Sequence, residues 1–298
     1  MIYFWSALWF FLGAGLGSFL NVLALRYHPE SSVFSKRNSA GRSHCMHCKK
    51  KLGVWELIPI FSFMFIQGKC STCGKKLTWQ YPIVEFLGGV LAVASWYHLS
   101  NWFMVSLESV ILGIAPWWFY VFGVVLILEI LTLLLIAVID FRHYLIPNEL
   151  VVFLGVLGLG GLSVLYFGNI PNFTTSWAGN YEMVFAPFKN IFIDRVFAVL
   201  ALGTPFFFLS LFTGGRGMGW GDFKLSLGLG LVLGFVAGTL SIILAFAIGG
   251  VFGLFMLSFK FRKIGQILPF APFLVLGCLL AIFFGRVIIS SYFSLFLG

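Results

Sequence analysis

Long apolar runs alternate with short polar connections along most of the chain. Most of the runs approach the roughly 20 residues that an α-helix needs to cross a bilayer. The pattern predicts eight transmembrane helices, the sixth of them short. The runs cover residues 2–25, 83–98, 118–139, 150–167, 196–212, 225–235, 239–259 and 267–284.

Two stretches are less clear from their apolar pattern. Residues 102–115 are apolar, but Glu108 interrupts them and Pro116 ends them, so they predict a ninth helix that is short or lies in the membrane interface. The first run has no basic residue before Arg26 and is too long for a cleavable signal peptide, so we expect it to remain as the first helix. The expected fold is an all-α integral membrane protein.

One polar segment is long enough to form a small domain. Residues 26–81 separate the first helix from the second and hold four of the five cysteines. We therefore divide the chain into residues 1–100, with two helices and the cysteine-containing loop, and residues 101–298, with the remaining helices. The other long connection, residues 168–194, is rich in Asn and Thr and carries few charges, as expected of an external loop.

Composition and charge set the class and the orientation. The chain is 60% apolar and only 10% charged, which excludes a water-soluble monomer. Ten of its nineteen Lys and Arg residues lie between Arg26 and Lys76, and basic residues in short loops stay in the cytoplasm. Eight helices then place the N-terminus outside, with sixteen basic residues inside and three outside, namely Lys189, Arg195 and Arg286. The net charge of +9 thus reflects topology and attraction to membrane lipid, and no nucleic-acid partner is expected.

Four cysteines form two CxxC motifs in the polar segment. Cys45 and Cys48 are followed, after 21 residues, by Cys70 and Cys73, a spacing close to that of a four-cysteine zinc ribbon. Two disulfides are the alternative, which a cytoplasmic location disfavours. Cys278 stands alone in an apolar run and is expected to be a core residue.

Two aspartates lie at the cytoplasmic boundary of the predicted helices. Asp140 ends the third run, and Asp222 precedes the sixth. An ionisable residue at this depth is a functional candidate, although two ordinary carboxylates solvated by headgroup water remain the alternative. Gly217, Gly219 and Gly221 leave the backbone before Asp222 free to adopt unusual dihedral angles and to admit a substrate chain.

Paired carboxylates are suited to acid–base chemistry on a peptide bond. Two carboxylates a few Å apart share one proton, so one can activate water while the other protonates the substrate. Glu129 shares the helix face of Asp140 but lies about 16 Å away along the axis, too far to be its partner. The chain has no GxSxG, HExxH or Walker motif, so serine hydrolase, zinc protease and P-loop chemistries have no support. These residues predict an intramembrane aspartyl protease.

The motifs together resemble the type IV prepilin peptidases, bacterial inner-membrane enzymes related by a GxGD motif to presenilin-like aspartyl proteases. The resemblance spans most of the chain and includes the two cysteine pairs and both aspartates. Its remaining motifs are Gly17-Ser-Phe-Leu-Asn21, Glu56-Leu-Ile-Pro59, Tyr81-Pro-Ile-Val-Glu85, Ile146-Pro147, Gly219-Trp-Gly-Asp222 and Leu268-Pro-Phe-Ala-Pro272. Ala271 is a departure, because the family pattern has Gly there.

The resemblance implies an activity and a location. Prepilins and pseudopilins would lose their basic leader after a Gly at the cytoplasmic face of the bacterial inner membrane, and S-adenosylmethionine would then methylate the new N-terminus. Asp140 and Asp222 would be catalytic. The zinc ligands would be Cys45, Cys48, Cys70 and Cys73. No Gly-rich cofactor loop occurs in residues 26–81, so methyl transfer is expected from the resemblance alone.

Glu85 is the candidate residue of the cofactor site, where its charge would hold the basic leader or the newly freed N-terminus. The alternative is a carboxylate near a helix N-terminus that the helix dipole favours. Two other functions also stay open. One is a dedicated protease whose cysteine loop is structural, and the other is an ion-coupled transporter with Asp140, Glu129 and Asp222 along an ion path.

Overall fold

The structure is a computed structural model that describes residues 2–35, 43–45, 47–102, 116–168, 190–215, 217–259 and 268–296. These residues are mostly helical, and among them only the isolated bridges His44 to Lys51 and Lys69 to Lys76 have β pairing. The helices are α1 (Ile2–Arg26), α2 (Phe61–Phe65), α3 (Gln80–Trp102), α4 (Trp117–His143), α5 (Asn148–Phe167), α6 (Ile191–Phe212), α7 (Trp220–Leu233), α8 (Phe235–Ser258) and α9 (Ala271–Phe296), with a 3₁₀ turn at Trp55–Leu57.

Eight of these helices correspond to the eight predicted runs. Seven of them, within the described residues, are long and apolar enough to cross a membrane. The eighth, α7, has 14 residues and so measures about 21 Å, less than the roughly 30 Å of bilayer hydrocarbon. The predicted all-α membrane protein with about eight helices is confirmed, including its short sixth helix.

Several helix ends differ from the prediction. Helix α4 continues to His143, so Asp140 lies inside its last turn, and α7 begins at Trp220, so Asp222 lies inside its first turn. The predicted ends were set where the apolar run stops. A helix can continue beyond that point through polar residues, so its true end differs. The predicted ninth helix lies outside the described residues apart from Trp102, which ends α3. Most of the predicted external loop, residues 169–189, also lies outside them.

The chain divides into two compact units, Met1–Ala115 and Pro116–Gly298. In the first unit α1 packs along α3. A Cβ atom at Gly13 would collide with the Gly88 carbonyl oxygen, and one at Gly88 would lie 2.6 Å from the Gly13 carbonyl oxygen. Close backbone contact through glycine is typical of helix pairs in membranes. Near the other end of the pair, the Gln80 side chain donates to Asn21 Oδ1 at 2.8 Å.

In the second unit, the short helix α7 packs against α5, α6, α8 and α9, while α9 also packs against α4. Tyr144 ends α4 in the left-handed conformation with φ of 55°, and its N–H donates to the Asp140 carbonyl oxygen at 2.8 Å. Gly219 precedes the first turn of α7. The C-terminal end of α4 and the N-terminal end of α7 thereby carry the two aspartates.

Candidate active site and metal centre

Asp140 and Asp222 lie close together in the second unit. Asp140 is 5% exposed in the last turn of α4, and Asp222 is 9% exposed in the first turn of α7. The two carboxylates are near enough to interact electrostatically. Two buried carboxyl groups that interact electrostatically can titrate as one coupled pair. The structure therefore joins the two residues that the sequence placed 82 positions apart.

Asp140 is held by the start of α9. Its Oδ2 accepts a hydrogen bond from the backbone N–H of Ala271 at 3.2 Å, and Ala271 is the first residue of that helix. Free N–H groups at a helix N-terminus favour a carboxylate. Ala271 is the position where the family pattern has Gly. Because the backbone N–H donates this hydrogen bond, Ala in place of Gly at position 271 does not remove it.

The three glycines before Asp222 provide space. A Cβ atom at Gly219 would lie 3.4 Å from Asp222 Oδ2, and one at Gly221 would lie 3.1 Å from the Cβ of Ile146. At Gly217 it would lie 2.8 Å from the Thr213 side chain. Because glycine has no Cβ atom, the backbone at these three positions can approach its neighbours closely.

The expected unusual dihedral angles occur elsewhere in the same loop. Positive φ angles are found at Gly214 (57°) and Gly215 (77°), while Gly219 has φ of −72°. Gly217, Gly219 and Gly221 therefore do not use the positive φ angles that glycine makes available. Composition alone does not separate a glycine that turns the chain from one that leaves space.

The short connection after Asp140 fixes the start of α7. Ile146 packs on Gly221, and the buried Pro147 precedes the first turn of α5. Lys224 of α7 donates from Nζ to Asn148 Oδ1 of α5 at 2.8 Å. These contacts hold the segment before Asp222 against the connection that follows Asp140.

On the prediction that Asp140 and Asp222 cleave a peptide, we expect Gly221→Ala to slow cleavage roughly 10- to 100-fold. Its methyl group displaces Ile146 or the start of α7, and small displacements of catalytic groups are costly. Initial cleavage rates measure the effect. Gly160→Ala is the matched control, since a Cβ atom there meets nothing within 4 Å. Equal rates for the two variants would show that contact at Gly221 does not position the pair.

A buried charged cluster lies at the C-terminal end of α7. Arg195 of α6 donates from Nη1 to the Val232 carbonyl oxygen of α7 at 2.8 Å. It also interacts electrostatically with Asp194 and with Glu129 of α4. Arg195 thus connects the two helices that carry the aspartates, at a distance from the carboxylates themselves.

Arg195 was counted among the three basic residues on the external side of the membrane, and that assignment stays a prediction. The side chain is buried inside the helical unit, because its partners come from two other helices that a count of loop charges does not include. Arg286 is exposed on α9, and Lys189 lies outside the described residues. The predicted core position of Cys278 is confirmed, since it is fully buried.

Replacing Arg195 with Met is expected to destabilise the second unit by about 3–5 kcal/mol, because removal of one partner leaves buried carboxylates without their counter-charge. Thermal unfolding in detergent measures the loss. Arg286→Met removes an exposed arginine of the same unit and should change little. If Arg195→Met and Arg286→Met unfolded at the same temperature, the buried charged cluster would have no stabilising role.

The four predicted cysteines form one cluster in the first unit. Their sulfur atoms all lie within 4.8 Å of one another. The Sγ atoms of Cys45 and Cys73 are 3.9 Å apart, as are those of Cys48 and Cys70. Tetrahedral zinc with Zn–S bonds of about 2.3 Å requires S···S distances of about 3.8 Å. The thiols are free of disulfides, so the arrangement fits a metal and not the disulfide alternative.

The two CxxC motifs form matching turns. The N–H of Cys45 donates to the Lys50 carbonyl oxygen, and that of Cys70 donates to the Lys75 carbonyl oxygen, both at 2.9 Å. Lys49 and Gly74 occupy the left-handed region at equivalent positions. Backbone N–H groups of these turns point at sulfur, which suits a thiolate ligand.

The same N–H groups lower the pKa of two thiols. Hydrogen bonds from the backbone of Cys73 and Thr72 lower the pKa of Cys70 to about 6, and those of Cys48 and His47 lower the pKa of Cys45. Thiolates are the form that binds zinc. The turns thus prepare their cysteines for a metal.

Glu56 ties the two turns together. Its carboxylate accepts hydrogen bonds from Lys50 Nζ, the Ser71 hydroxyl and the Gly53 N–H. The hydrogen bonds from Ser71, Gly53 and Lys50 lower the pKa of Glu56 to about 2. Lys50 follows the first cysteine pair and Ser71 lies within the second, so Glu56 has a structural role.

Glu85 lies in the first unit on α3 and is 6% exposed. Its Oε2 accepts the backbone N–H of Ile60 at 2.7 Å. The first turn of α3 contains no acidic residue, and the helix dipole acts mainly within that turn. The alternative in which the helix dipole explains Glu85 therefore has little physical support.

Comparison with known proteins covers both units. Residues 11–99 match the bacterial peptidase A24 N-terminal domain, and residues 126–254 match the type IV leader peptidase family. The chain is 30% identical to the prepilin leader peptidase/N-methyltransferase of Stutzerimonas stutzeri, over 94% of this chain and 91% of that protein. The chain belongs to the type IV leader peptidase family. This confirms the resemblance and removes the ion-coupled transporter alternative.

Two further members of the family are also similar to the chain. The prepilin leader peptidase/N-methyltransferase of Pseudomonas aeruginosa is 29% identical over 94% of this chain and 91% of that protein. That of Bacillus subtilis is 29% identical over 97% of this chain and 98% of that protein. No solved structure matches. Asp140 and Asp222 lie in the segment that matches the leader peptidase family, while the four cysteines and Glu85 lie in the N-terminal match.

Proposed function

We propose that this leader peptidase removes the basic leader of prepilins and pseudopilins after a Gly, with Asp140 and Asp222 as its catalytic pair, and then N-methylates the new N-terminus. The observation that carries the proposal is the pairing of two buried carboxylates from the ends of α4 and α7. The names of the relatives support both the cleavage and the methylation.

In the proposed cleavage the pair shares one proton. The ionised carboxylate takes a proton from water, whose oxygen attacks the carbonyl carbon of the Gly. The protonated carboxyl group gives its proton to the carbonyl oxygen. When the C–N bond breaks, the amine leaves with a proton from the first carboxyl group, and a hydroxyl of the tetrahedral intermediate returns its proton to the second carboxylate as the new carboxyl group forms. No covalent enzyme intermediate forms. The Ala271 N–H orients Asp140 during these steps.

The membrane determines where the substrate meets the pair. A prepilin has a basic leader followed by an apolar segment, so its scissile bond lies at the cytoplasmic interface. With the N-terminus outside, the positive-inside rule places Asp140 and Asp222 at that face. The apolar segment would pack against the lipid-facing helices, and the space at Gly219 would admit an extended substrate backbone.

The first unit would carry the methyl transfer and a structural zinc ion. Bound S-adenosylmethionine would supply the methyl group to the freed amine. Cys45, Cys48, Cys70 and Cys73 would hold the metal, which would join the two CxxC turns of this segment. The buried carboxylate of Glu85 fits a cationic group of either the cofactor or the acceptor. A dedicated protease with a purely structural cysteine loop is the second candidate.

A complementation experiment tests the function in cells. The chain is expressed in a bacterium that lacks its own prepilin peptidase and makes a tagged prepilin. We expect the precursor to shift to the mature size and its N-terminus to carry one methyl group. Mature but unmethylated pilin would favour the dedicated protease. Unprocessed precursor, in cells where a related peptidase restores processing, would refute the proposed function.

A further inference from the structure

The first unit contains a partly open cavity of about 100 Å³ beside the cysteine cluster. Helix α1 contributes Ser18 and Arg26, α3 contributes Tyr81 and Glu85, and the CxxC turns contribute Cys45 and Ser71. A single water needs about 15 Å³, so several waters fit. This space suits the amino end of a small ligand, and not a whole nucleoside.

Glu85 is the buried acidic group of this cavity. Besides the Ile60 N–H, its carboxylate interacts with the Ser18 side chain. Both of these partners are neutral. Glu56, the other carboxylate in the cavity wall, forms an ion pair with Lys50 at 3.1 Å. Within the described residues no such ion pair is formed by Glu85, and burial of a carboxylate favours a cationic partner.

A strained turn holds the Glu85 carboxylate in place. Ile60 has φ of 65° and ψ of −55°, and the Phe61 N–H bonds to the Pro59 carbonyl oxygen at 2.7 Å. This is a γ-turn of the rare, strained kind, and a β-branched residue disfavours positive φ. The turn directs the Ile60 N–H at Glu85. Strain of this type persists where the surrounding structure demands it, and it is concentrated at functional sites.

We propose that Glu85 binds the primary ammonium group of a methyl-transfer ligand in this cavity. The inference rests on the proposed methyl transfer. Two sources share the same chemistry, the amino-acid end of S-adenosylmethionine and the free N-terminus of a cleaved pilin. Either ammonium group compensates the carboxylate, and its attached carbon chain fills the apolar part of the cavity.

Equilibrium binding to the full-length protein in detergent tests the proposal. The probes are radiolabelled S-adenosylmethionine and a short peptide with a free apolar N-terminal residue, compared with its N-acetylated form. Glu85→Gln is expected to weaken the binding of one of these ammonium ligands at least tenfold. Glu30→Gln, which changes an exposed glutamate of the same unit, should leave both affinities unchanged. The ligand whose binding to Glu85→Gln is weaker than to the wild type identifies the source of the ammonium group.

A further measurement keeps the result clear if Glu85→Gln folds poorly. In the wild-type protein itself, an S-adenosylmethionine analogue without its amino group, or the acetylated peptide, should bind at least tenfold more weakly than the parent ligand. Zinc content confirms that each variant has kept its cysteine cluster.

The proposal is overturned if both ligands bind Glu85→Gln as tightly as the wild type. It is also overturned if the wild-type protein binds both ligands equally well with and without their amino groups. Prepilin cleavage by the wild-type protein is measured separately. If the wild-type protein did not cleave prepilin, the proposed function would be refuted, whatever the binding measurements gave. If it cleaved prepilin but Glu85 had no role in ligand binding, this inference alone would be refuted.

Discussion

Asp140→Asn and Asp222→Asn are each expected to abolish leader cleavage while the protein stays folded in the membrane. Asn keeps the size of the side chain but can neither take a proton from water nor return it, and loss of acid–base catalysis costs about 10²- to 10⁴-fold. Because water activation and leaving-group protonation both depend on the pair, we expect the upper end of this range. Initial rates with a purified prepilin measure it.

The matched control is Glu149→Gln, which removes an exposed carboxylate from the same unit and should retain the wild-type rate. The double variant, with Asn at both Asp140 and Asp222, should be no slower than either single variant, because residues that act as one unit are strongly non-additive. If either single variant kept more than a few per cent of the rate, the assignment of the pair would have to be abandoned.

Purified protein is expected to contain about one zinc ion per chain, bound by four thiolates in tetrahedral geometry. Structural zinc supplies about 10–16 kcal/mol of binding free energy in small zinc domains. Cys45→Ser or Cys73→Ser should therefore release the metal and unfold the cysteine-containing segment, whose turns are otherwise held mainly by hydrogen bonds. Elemental analysis and limited proteolysis measure the two effects.

The fifth cysteine provides the control for this experiment. Cys278 is buried in α9 of the second unit, so Cys278→Ala should keep the full zinc content. A metal-free protein, prepared under reducing conditions, that still cleaved and methylated at full rates would contradict both the site and its importance.

The sequence was most informative where the governing interaction is local. Transmembrane helices follow from runs of apolar residues, and even the short α7 was predicted as short. The CxxC spacing likewise predicts the cysteine cluster, because each pair brings two thiolates together within one turn. Helix ends were less accurate, since α4 continues through Asp140 to His143.

Features that depend on neighbouring helices could not be predicted in this way. Arg195 was treated only as a basic residue on the external side, because no local pattern predicts its partners on α4 and α7. The positive φ of Ile60 is unfavourable for its residue type, and its hydrogen bond to Glu85 is a tertiary contact that no local pattern predicts. The closeness of Asp140 and Asp222 also depends on packing, and it was expected from acid–base chemistry and from the resemblance.

Mass spectrometry of a prepilin after incubation with the purified protein tests the central claim most directly. The account predicts a single cut after the Gly that ends the basic leader, an intact leader peptide as the second product, and neither product with Asp140→Asn or Asp222→Asn. Cleavage at another position, or the same products from either Asn variant, would contradict it.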